Sequence, residues 1–122
     1  MIWQLLIVFA GGGLGSVCRY ALGRAFSNSM FLWGTLLANF AACAVLGFLV
    51  GYQLKRSLPL SWKLLLATGF CGGFSTFSTF VLELVRFQQE GSPMGALVYL
   101  SVSLFGGVVC LLAGMWLGAR MG

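Results

Sequence analysis

Four long apolar runs without a charged residue divide this 122-residue chain and decide what it can fold into. The runs cover residues 1–18, 25–54, 64–82 and 91–119. Each is long enough, or nearly so, to cross about 30 Å of hydrocarbon as an α-helix. Hydrophobic residues make up 60% of the chain and charged residues 7%, which is typical of membrane proteins. We therefore predict an all-α membrane protein with four transmembrane helices, folded as a single domain over residues 1–122.

The predicted spans follow these runs closely. They cover residues 3–20, 31–54 and 63–87, and a fourth follows Pro93 and ends near Gly118. We expect residues 1–20 to be a span and not a cleaved signal peptide, because no basic segment precedes the apolar run and glycines interrupt it.

Charged residues and cysteines exclude several other classes of protein. The net charge is +5, from seven cations and two acids, but the cations are scattered at the ends of the spans. This distribution does not form a nucleic-acid-binding face, so we predict no nucleic-acid partner. The cysteines lie inside apolar runs, none forms a close pair, and the chain has no histidine, so we interpret them as small buried residues. They are Cys18, Cys43, Cys71 and Cys110.

The cations at the two ends of the spans give a weak orientation signal. Four spans place both termini on one side, together with four cations: Lys55, Arg56, Lys63 and Arg120. The opposite side carries Arg24 and Arg86, with Arg19 nearby. This small excess permits insertion in both directions. Two copies in opposite orientations can then pair about a two-fold axis in the membrane plane.

Pairs of glycines four residues apart occur in every predicted span and permit close approach of helices. The pairs are Gly11 and Gly15, Gly47 and Gly51, Gly69 and Gly73, and Gly114 and Gly118. They fit packing within one chain or packing between copies. Because four short helices have little interior in which to enclose a polar path, we predict an obligate homo-oligomer, most simply a dimer.

Residues 69–80, with the sequence GFCGGFSTFSTF, combine features that weaken a helix. Three glycines and four hydroxyl residues interrupt the apolar run. Phenylalanines at 74, 77 and 80 are expected to share one helix face. Irregular backbone at membrane depth persists only beside protein or a water-filled cavity. We therefore predict a third helix broken in mid-membrane beside a polar path, with carbonyls freed around residues 72–76 that suit a cation such as Na⁺.

Polar side chains inside the spans each permit two interpretations. Asn39 fits an interhelical hydrogen bond or an NH₂ donor aimed at an anion. Glu83 fits a pair with Arg86 near the interface or a functional acid. Arg19 fits snorkelling to the headgroups or an inward position that concentrates anions at a vestibule.

Tyr99 and Ser103 lie four residues apart on the fourth span and so share a face. Their hydroxyls either bond the preceding turn or form a stripe of donors along a path. Phe77 and Phe80 fit core packing, or a role in which the positive ring edges lie against a small anion.

Four segments in this order resemble the CrcB/Fluc family of fluoride channels. They are residues 11–20 (GGGLGSVCRY), residues 34–39 (GTLLAN), residues 69–80, and Tyr99 with Ser103. The resemblance extends over nearly the whole chain.

The resemblance implies a dual-topology homodimer of antiparallel copies in the bacterial inner membrane. Two antiparallel pores would export fluoride passively, and main-chain carbonyls of Gly72 and Ser75 would hold a central Na⁺. Arg19 and Glu83 would lie at the pore vestibule or support it. The implied fluoride path comprises Asn39, Phe77, Ser78, Thr79, Phe80, Tyr99 and Ser103.

Two positions depart from the family pattern. Ser75 stands where the family usually has threonine, a change that a main-chain ligand tolerates. Gly107, one turn after Ser103, lacks a hydroxyl that some relatives place there, so the donor track is expected to be shorter.

The resemblance implies that the chain is not an enzyme, and two alternatives remain. A small proton-coupled exporter of the multidrug-resistance type has a similar size, but it needs an acid deep in the first span, and the first 25 residues contain none. A non-transporting membrane assembly factor is the second alternative.

Overall fold

All regular structure described by the computed structural model, which covers residues 1–27 and 32–122, is helical. Four stretches are long and apolar enough to cross a membrane, and the third of them is Leu60–Gln89. The prediction of an all-α membrane protein with four spans is thus confirmed. The helices are α1 (Ile2–Ala25), α2 (Trp33–Gln53), α3 (Leu60–Lys63), the π-helical segment π1 (Leu64–Cys71), α4 (Gly72–Phe74), α5 (Ser78–Gln89) and α6 (Pro93–Met121).

The helix bounds differ from the predicted spans at several ends. Helix α1 continues past Arg19 and Arg24 to Ala25, five residues beyond the predicted end. Long basic side chains allow this, because the backbone stays helical while the charged group reaches a polar partner. The predicted start of the second span at Phe31 lies outside the described residues. The third helical stretch begins at residue 60, directly after Pro59, because proline fits the start of a helix.

Helices α2 and α6 pack through glycines on both partners. Gly47 and Gly51 of α2 lie against the backbone of Leu111 and Met115, where a methyl group would overlap a carbonyl oxygen. Two glycines of α6 lie in the same way against the backbone of α2: Gly114 and Gly118. Close approach of this kind allows extensive van der Waals contact between helices in lipid.

Helix α1 packs against the third helical stretch by the same means. Gly11 and Gly15 lie against the backbone of π1, at Leu65 and Phe70. The glycines at 69 and 73 face the backbone of α1 in return. All four glycine pairs are therefore in contact within one chain, which is the first of the two arrangements considered from the sequence.

The turn between α5 and α6 fixes the last hairpin. Gly91 has a left-handed backbone with φ of 77°, and it follows the end of α5. The Ser92 hydroxyl accepts a hydrogen bond from the Gly95 N–H at 3.2 Å, and Pro93 occupies the first turn of α6. These are ordinary end and start signals for helices. The hairpin brings Tyr99 of α6 against α5.

Two small buried clusters flank the start of α5. One contains Leu36, Phe80 and Tyr99, and the other contains Ala38, Ala42, Cys71 and Phe74. Both clusters draw on α2, so α2 is the central helix that positions the third helical stretch. Large apolar side chains of α1 and α6 face outward, as expected for helices surrounded by lipid.

Candidate functional site

Helical backbone stops at Phe74 and begins again at Ser78. Ser75 is extended, with φ of −80° and ψ of 157°. Its N–H still donates to the Cys71 carbonyl at 3.0 Å, and its hydroxyl donates to the same oxygen at 2.7 Å. Residues 75–77 therefore connect two helices, and their main-chain groups need partners from elsewhere in the chain.

Asn39 of α2 supplies two of those partners. Its NH₂ group donates to the Thr76 carbonyl at 3.1 Å, and its carbonyl oxygen accepts from the Thr76 N–H at 2.7 Å. The side-chain amide thus pairs with the main chain of Thr76 much as a neighbouring strand would. The interhelical hydrogen bond considered from the sequence is present. One NH₂ proton is used in it, and an amide has a second.

Side-chain acceptors divert two main-chain donors from their helical partners. In a continuous α-helix the Thr76 N–H would bond the Gly72 carbonyl, but it bonds Asn39. The Thr79 N–H would bond the Ser75 carbonyl, but it donates to the Thr76 hydroxyl at 3.3 Å. The carbonyls of Gly72 and Ser75 thus lose their usual α-helical donors. Gly72 is exposed, and beyond its chain neighbours and its own helical backbone no atom lies within 4 Å of the position that a Cβ would take there.

Arg19 of α1 reaches the same region from the other side. Its Nε donates to the Gly73 carbonyl at 3.1 Å, and the residue is half-buried. The side chain therefore turns toward the chain's own main chain and not only toward a headgroup layer. It also borders a cavity of about 320 Å³. Polar lining residues of this cavity are Arg19, Tyr20, Arg24, Thr35, Thr79 and Glu83.

Glu83 of α5 is 9% exposed and holds two hydroxyl groups. Its carboxylate accepts from the Tyr99 hydroxyl at 2.9 Å and from the Thr35 hydroxyl at 3.2 Å. Arg86 borders a second, smaller cavity beside Glu83. Because a buried carboxylate needs donors, the two hydroxyls fix the position of Glu83 between α2 and α6.

The aromatic residues of the third helical stretch do not share one face. Phe74 and Phe80 are buried, with Phe80 7% exposed, whereas Phe77 is 76% exposed. The expectation of a common face is wrong, because a three-residue step aligns side chains only along a continuous helix. The Phe77 and Phe80 ring centroids are 6.3 Å apart, and Phe80 also packs on Tyr99 at 5.2 Å.

A cavity of about 280 Å³ opens beside the connection between α4 and α5. Within the part of the chain that is described, the buried hydroxyl oxygen of Ser103 has no hydrogen-bond partner, and Ser103 lines this cavity. The lining of the cavity combines apolar side chains with side chains that can donate hydrogen bonds. Its lining residues are Asn39, Cys43, Ser75, Thr76, Phe77, Phe80, Ser103, Leu104 and Gly107. We refer to it as the amide cavity.

The predicted path residues fall into distinct surroundings. Four of them line the amide cavity: Asn39, Phe77, Phe80 and Ser103. Thr79 borders the cavity beside Arg19, Ser78 is exposed at the start of α5, and Tyr99 is buried against Glu83.

Two residues of the site were missed from the sequence: Thr35 and Cys43. Thr35 and Cys43 each lie four residues from Asn39, so their position on the same face of α2 could have identified them as site residues. The sequence predicted freed carbonyls around residues 72–76, but it did not predict that the main chain of Thr76 pairs with the Asn39 side chain.

Comparison with known proteins agrees with this architecture. Residues 6–115 match the family described as CrcB-like protein, Camphor Resistance (CrcB). The chain is 41% identical over 116 residues to the fluoride-specific ion channel FluC of Chlorobium phaeobacteroides strain BS1, covering 93% of this chain and 91% of that protein.

Two further relatives bear the same name. The fluoride-specific ion channel FluC of Leptospira interrogans strain Fiocruz L1-130 is 40% identical over 120 residues, covering 93% of each chain. The Serratia proteamaculans protein is 41% identical over 115 residues, covering 92% of this chain and 91% of its own length. These names describe ion channels, so the prediction that the chain is not an enzyme is confirmed. The chain belongs to the CrcB-like protein family.

Proposed function

We propose that this protein is a passive fluoride channel that exports fluoride from the bacterial cytoplasm across the inner membrane. The observation that carries the proposal is the amide cavity, in which Asn39, Ser103 and two phenylalanines meet beside an interrupted helix. The relatives' name, fluoride-specific ion channel, supports fluoride as the transported ion.

Selectivity follows from the groups that line such a path. A fluoride ion that leaves water must exchange its hydration shell for donors of fixed position. The second NH₂ proton of Asn39 and the Ser103 hydroxyl supply donors, and phenylalanine ring edges add positive potential. We assign Ser78, Thr79 and Tyr99 to the same path. Arg19 and Glu83 belong to its vestibule, where Arg19 attracts anions and Glu83 orients the hydroxyl of Tyr99.

The functional unit is an antiparallel homodimer with two pores. A single chain leaves Phe77 76% exposed beside the amide cavity, so a second surface is needed to enclose a path there. A second copy in the opposite orientation provides that surface by a two-fold operation. In this assembly the interruption between α4 and α5 lies at mid-membrane, where irregular backbone must be covered by protein.

A structural Na⁺ at the centre of the dimer fits the residues present. The Thr76 and Thr79 N–H groups bond side-chain acceptors in place of the Gly72 and Ser75 carbonyls, and Gly72 is exposed, with open space where a Cβ would stand. Freed carbonyls beside a helix break are suitable sodium ligands. The carbonyls of Gly72 and Ser75 would hold the ion, which would supply a fixed positive charge beside these main-chain oxygens.

The alternatives find less support. The proton-coupled exporter requires an acid within the first span, and α1 contains none. The assembly factor gives no reason for polar donors in an apolar cavity.

The deciding experiment measures fluoride efflux with an electrode. Purified protein is placed in liposomes loaded with potassium fluoride, and valinomycin balances the charge. We expect rapid fluoride efflux that needs no proton gradient, and little chloride efflux from matched chloride-loaded liposomes. Empty liposomes give the leak. Zero fluoride efflux from a well-folded preparation overturns the proposal, and efflux that requires a proton gradient favours the exporter.

A further inference from the structure

The amide cavity continues past Asn39 and Ser103 by one helical turn on both walls. Cys43 lies four residues after Asn39 on α2, and Gly107 lies four residues after Ser103 on α6. Residues four apart share a helix face. All four line the same cavity of about 280 Å³. The cavity thus has two successive levels, the Asn39–Ser103 level and the Cys43–Gly107 level.

The polar groups of the two levels differ. At the Asn39–Ser103 level an amide is joined by the Ser103 hydroxyl, whose buried oxygen has no partner within the described part of the chain. At the Cys43–Gly107 level, the α6 wall has no side chain, because residue 107 is glycine. The α2 wall offers the Cys43 thiol, which is a weak hydrogen-bond donor.

The thiol lies beside the space that a side chain at residue 107 would occupy. A Cβ built on Gly107 would be 3.6 Å from the Cys43 sulfur, which is an ordinary van der Waals distance. A small hydroxyl side chain at 107 therefore fits next to the thiol without displacing it. A hydrogen-bond donor at this level can therefore come from residue 43 on α2 or from a hydroxyl side chain placed at residue 107 on α6.

We propose that the Cys43 thiol is a further lining residue of the fluoride path, and that it hydrogen-bonds the ion one helical turn beyond Asn39, where Gly107 provides no donor. This inference rests on the proposed fluoride-channel function. The donor track therefore extends past Ser103, although the missing hydroxyl at Gly107 predicted a shorter one.

The test compares fluoride efflux from liposomes containing four variants with that of the wild-type chain. The variants are Cys43→Ala, Cys43→Ser, Gly107→Ser, and the double variant Cys43→Ala with Gly107→Ser. We expect Cys43→Ala to lower the efflux rate about two- to threefold, the lower end of the effect of one lost hydrogen bond, because a thiol is a weak donor. Cys43→Ser keeps the donor and should keep the rate. The double variant should recover most of the wild-type rate, because the hydroxyl moves to the facing wall.

Cys110→Ala is the matched control, because it removes a half-buried thiol that lies outside the set lining the amide cavity. It should retain wild-type efflux. Size-exclusion profiles in detergent verify that each variant is folded.

Each result bears on the inference. Unchanged efflux of Cys43→Ala overturns it, while wild-type efflux still supports the channel. A loss in Cys43→Ala that Gly107→Ser does not restore assigns the thiol a packing role and also overturns it. No fluoride efflux from the wild-type protein refutes the channel function itself, so the two failures are distinguishable.

Discussion

The side-chain amide of Asn39 pairs with both main-chain groups of Thr76, donating at 3.1 Å and accepting at 2.7 Å. This double hydrogen bond crosses from α2 to the connection between α4 and α5. It satisfies the N–H and C=O of a residue that has lost helical partners. The same contact fixes the position of the amide at the edge of the amide cavity. Asn39 therefore both stabilises the non-helical residues 75–77 and lines the proposed path.

Replacing Asn39 with aspartate tests both roles. Asn39→Asp keeps an acceptor for the Thr76 N–H but removes the donor to the Thr76 carbonyl, and it places a negative charge beside the proposed anion path. We expect fluoride efflux to fall more than about tenfold, since an unfavourable charge contact costs well over 1.4 kcal/mol at low dielectric. The measurement is electrode-detected efflux from liposomes.

Gln89→Glu is the matched control for the aspartate variant. It makes the same change of charge at an exposed residue, the last of α5. Its efflux should stay near wild type. Full conductance of Asn39→Asp would contradict a path-lining amide.

The two phenylalanines at the amide cavity should respond differently to replacement by isoleucine. Phe77→Ile and Phe80→Ile should both lower fluoride efflux, because each removes a ring edge. Phe80 packs on Tyr99 in a buried cluster, so its replacement should also lower the thermal midpoint, at a cost of about 1–3 kcal/mol. Phe77 is exposed in the single chain, so Phe77→Ile should leave the stability of one copy unchanged.

Phe9→Ile controls for loss of an exposed ring, since Phe9 of α1 is 80% exposed. Its efflux and thermal midpoint should match those of the wild-type protein. Wild-type efflux from both cavity variants would remove the aromatic residues from the path.

The Glu83–Tyr99 hydrogen bond gives a third prediction. Tyr99→Phe removes the donor at 2.9 Å and leaves the buried carboxylate with one fewer hydroxyl. We expect a loss of about 1–3 kcal/mol in stability. A shift of the thermal midpoint in detergent measures this loss. We also expect slower fluoride efflux.

Tyr52→Phe makes the same chemical change in the ring that stacks on Phe48, away from the amide cavity. It should shift the midpoint and the efflux rate much less. Equal effects of the two replacements would argue against a special role for the Glu83–Tyr99 contact.

The glycine contacts between α2 and α6 give a prediction about folding alone. In Gly47→Ala the added methyl group meets the backbone of Leu111, with its Cα only 3.1 Å away. The helices must separate, at a cost of about 1–3 kcal/mol. Gly13→Ala is the control, because beyond its chain neighbours and the backbone of α1 no atom lies within 4 Å of the added group. Thermal unfolding in detergent should separate the two variants, and equal midpoints would contradict close α2–α6 packing.

Removal of sodium tests the proposed metal site. Protein purified and assayed with N-methyl-D-glucamine in place of Na⁺ should show slower fluoride efflux and a weaker dimer in size-exclusion chromatography, and added Na⁺ should restore both. Ser75→Thr should behave like wild type, because a main-chain ligand is indifferent to the added methyl group. Unchanged behaviour without Na⁺ would refute the site.

The sequence was sufficient for the four spans, because apolar runs near 20 residues have few other ways to satisfy their main chain. It could not place Asn39 against Thr76, since these residues are 37 positions apart and their contact depends on how α2 meets the third helical stretch. It also misplaced Phe77. Residue spacing predicts which face a side chain occupies only within a regular helix, and residues 75–77 lie between two helices. The length of α1 was underestimated because Arg19 finds a main-chain acceptor at Gly73.

The glycine contacts within a single chain also bear on biogenesis. Since α1 reaches the third helical stretch and α2 reaches α6 without help from another molecule, each newly inserted polypeptide can complete its tightest packing alone. In the proposed homodimer, association then joins two copies whose helices are already packed. We expect the orientation of each copy in the membrane to be fixed during its insertion at the translocon, before two copies associate.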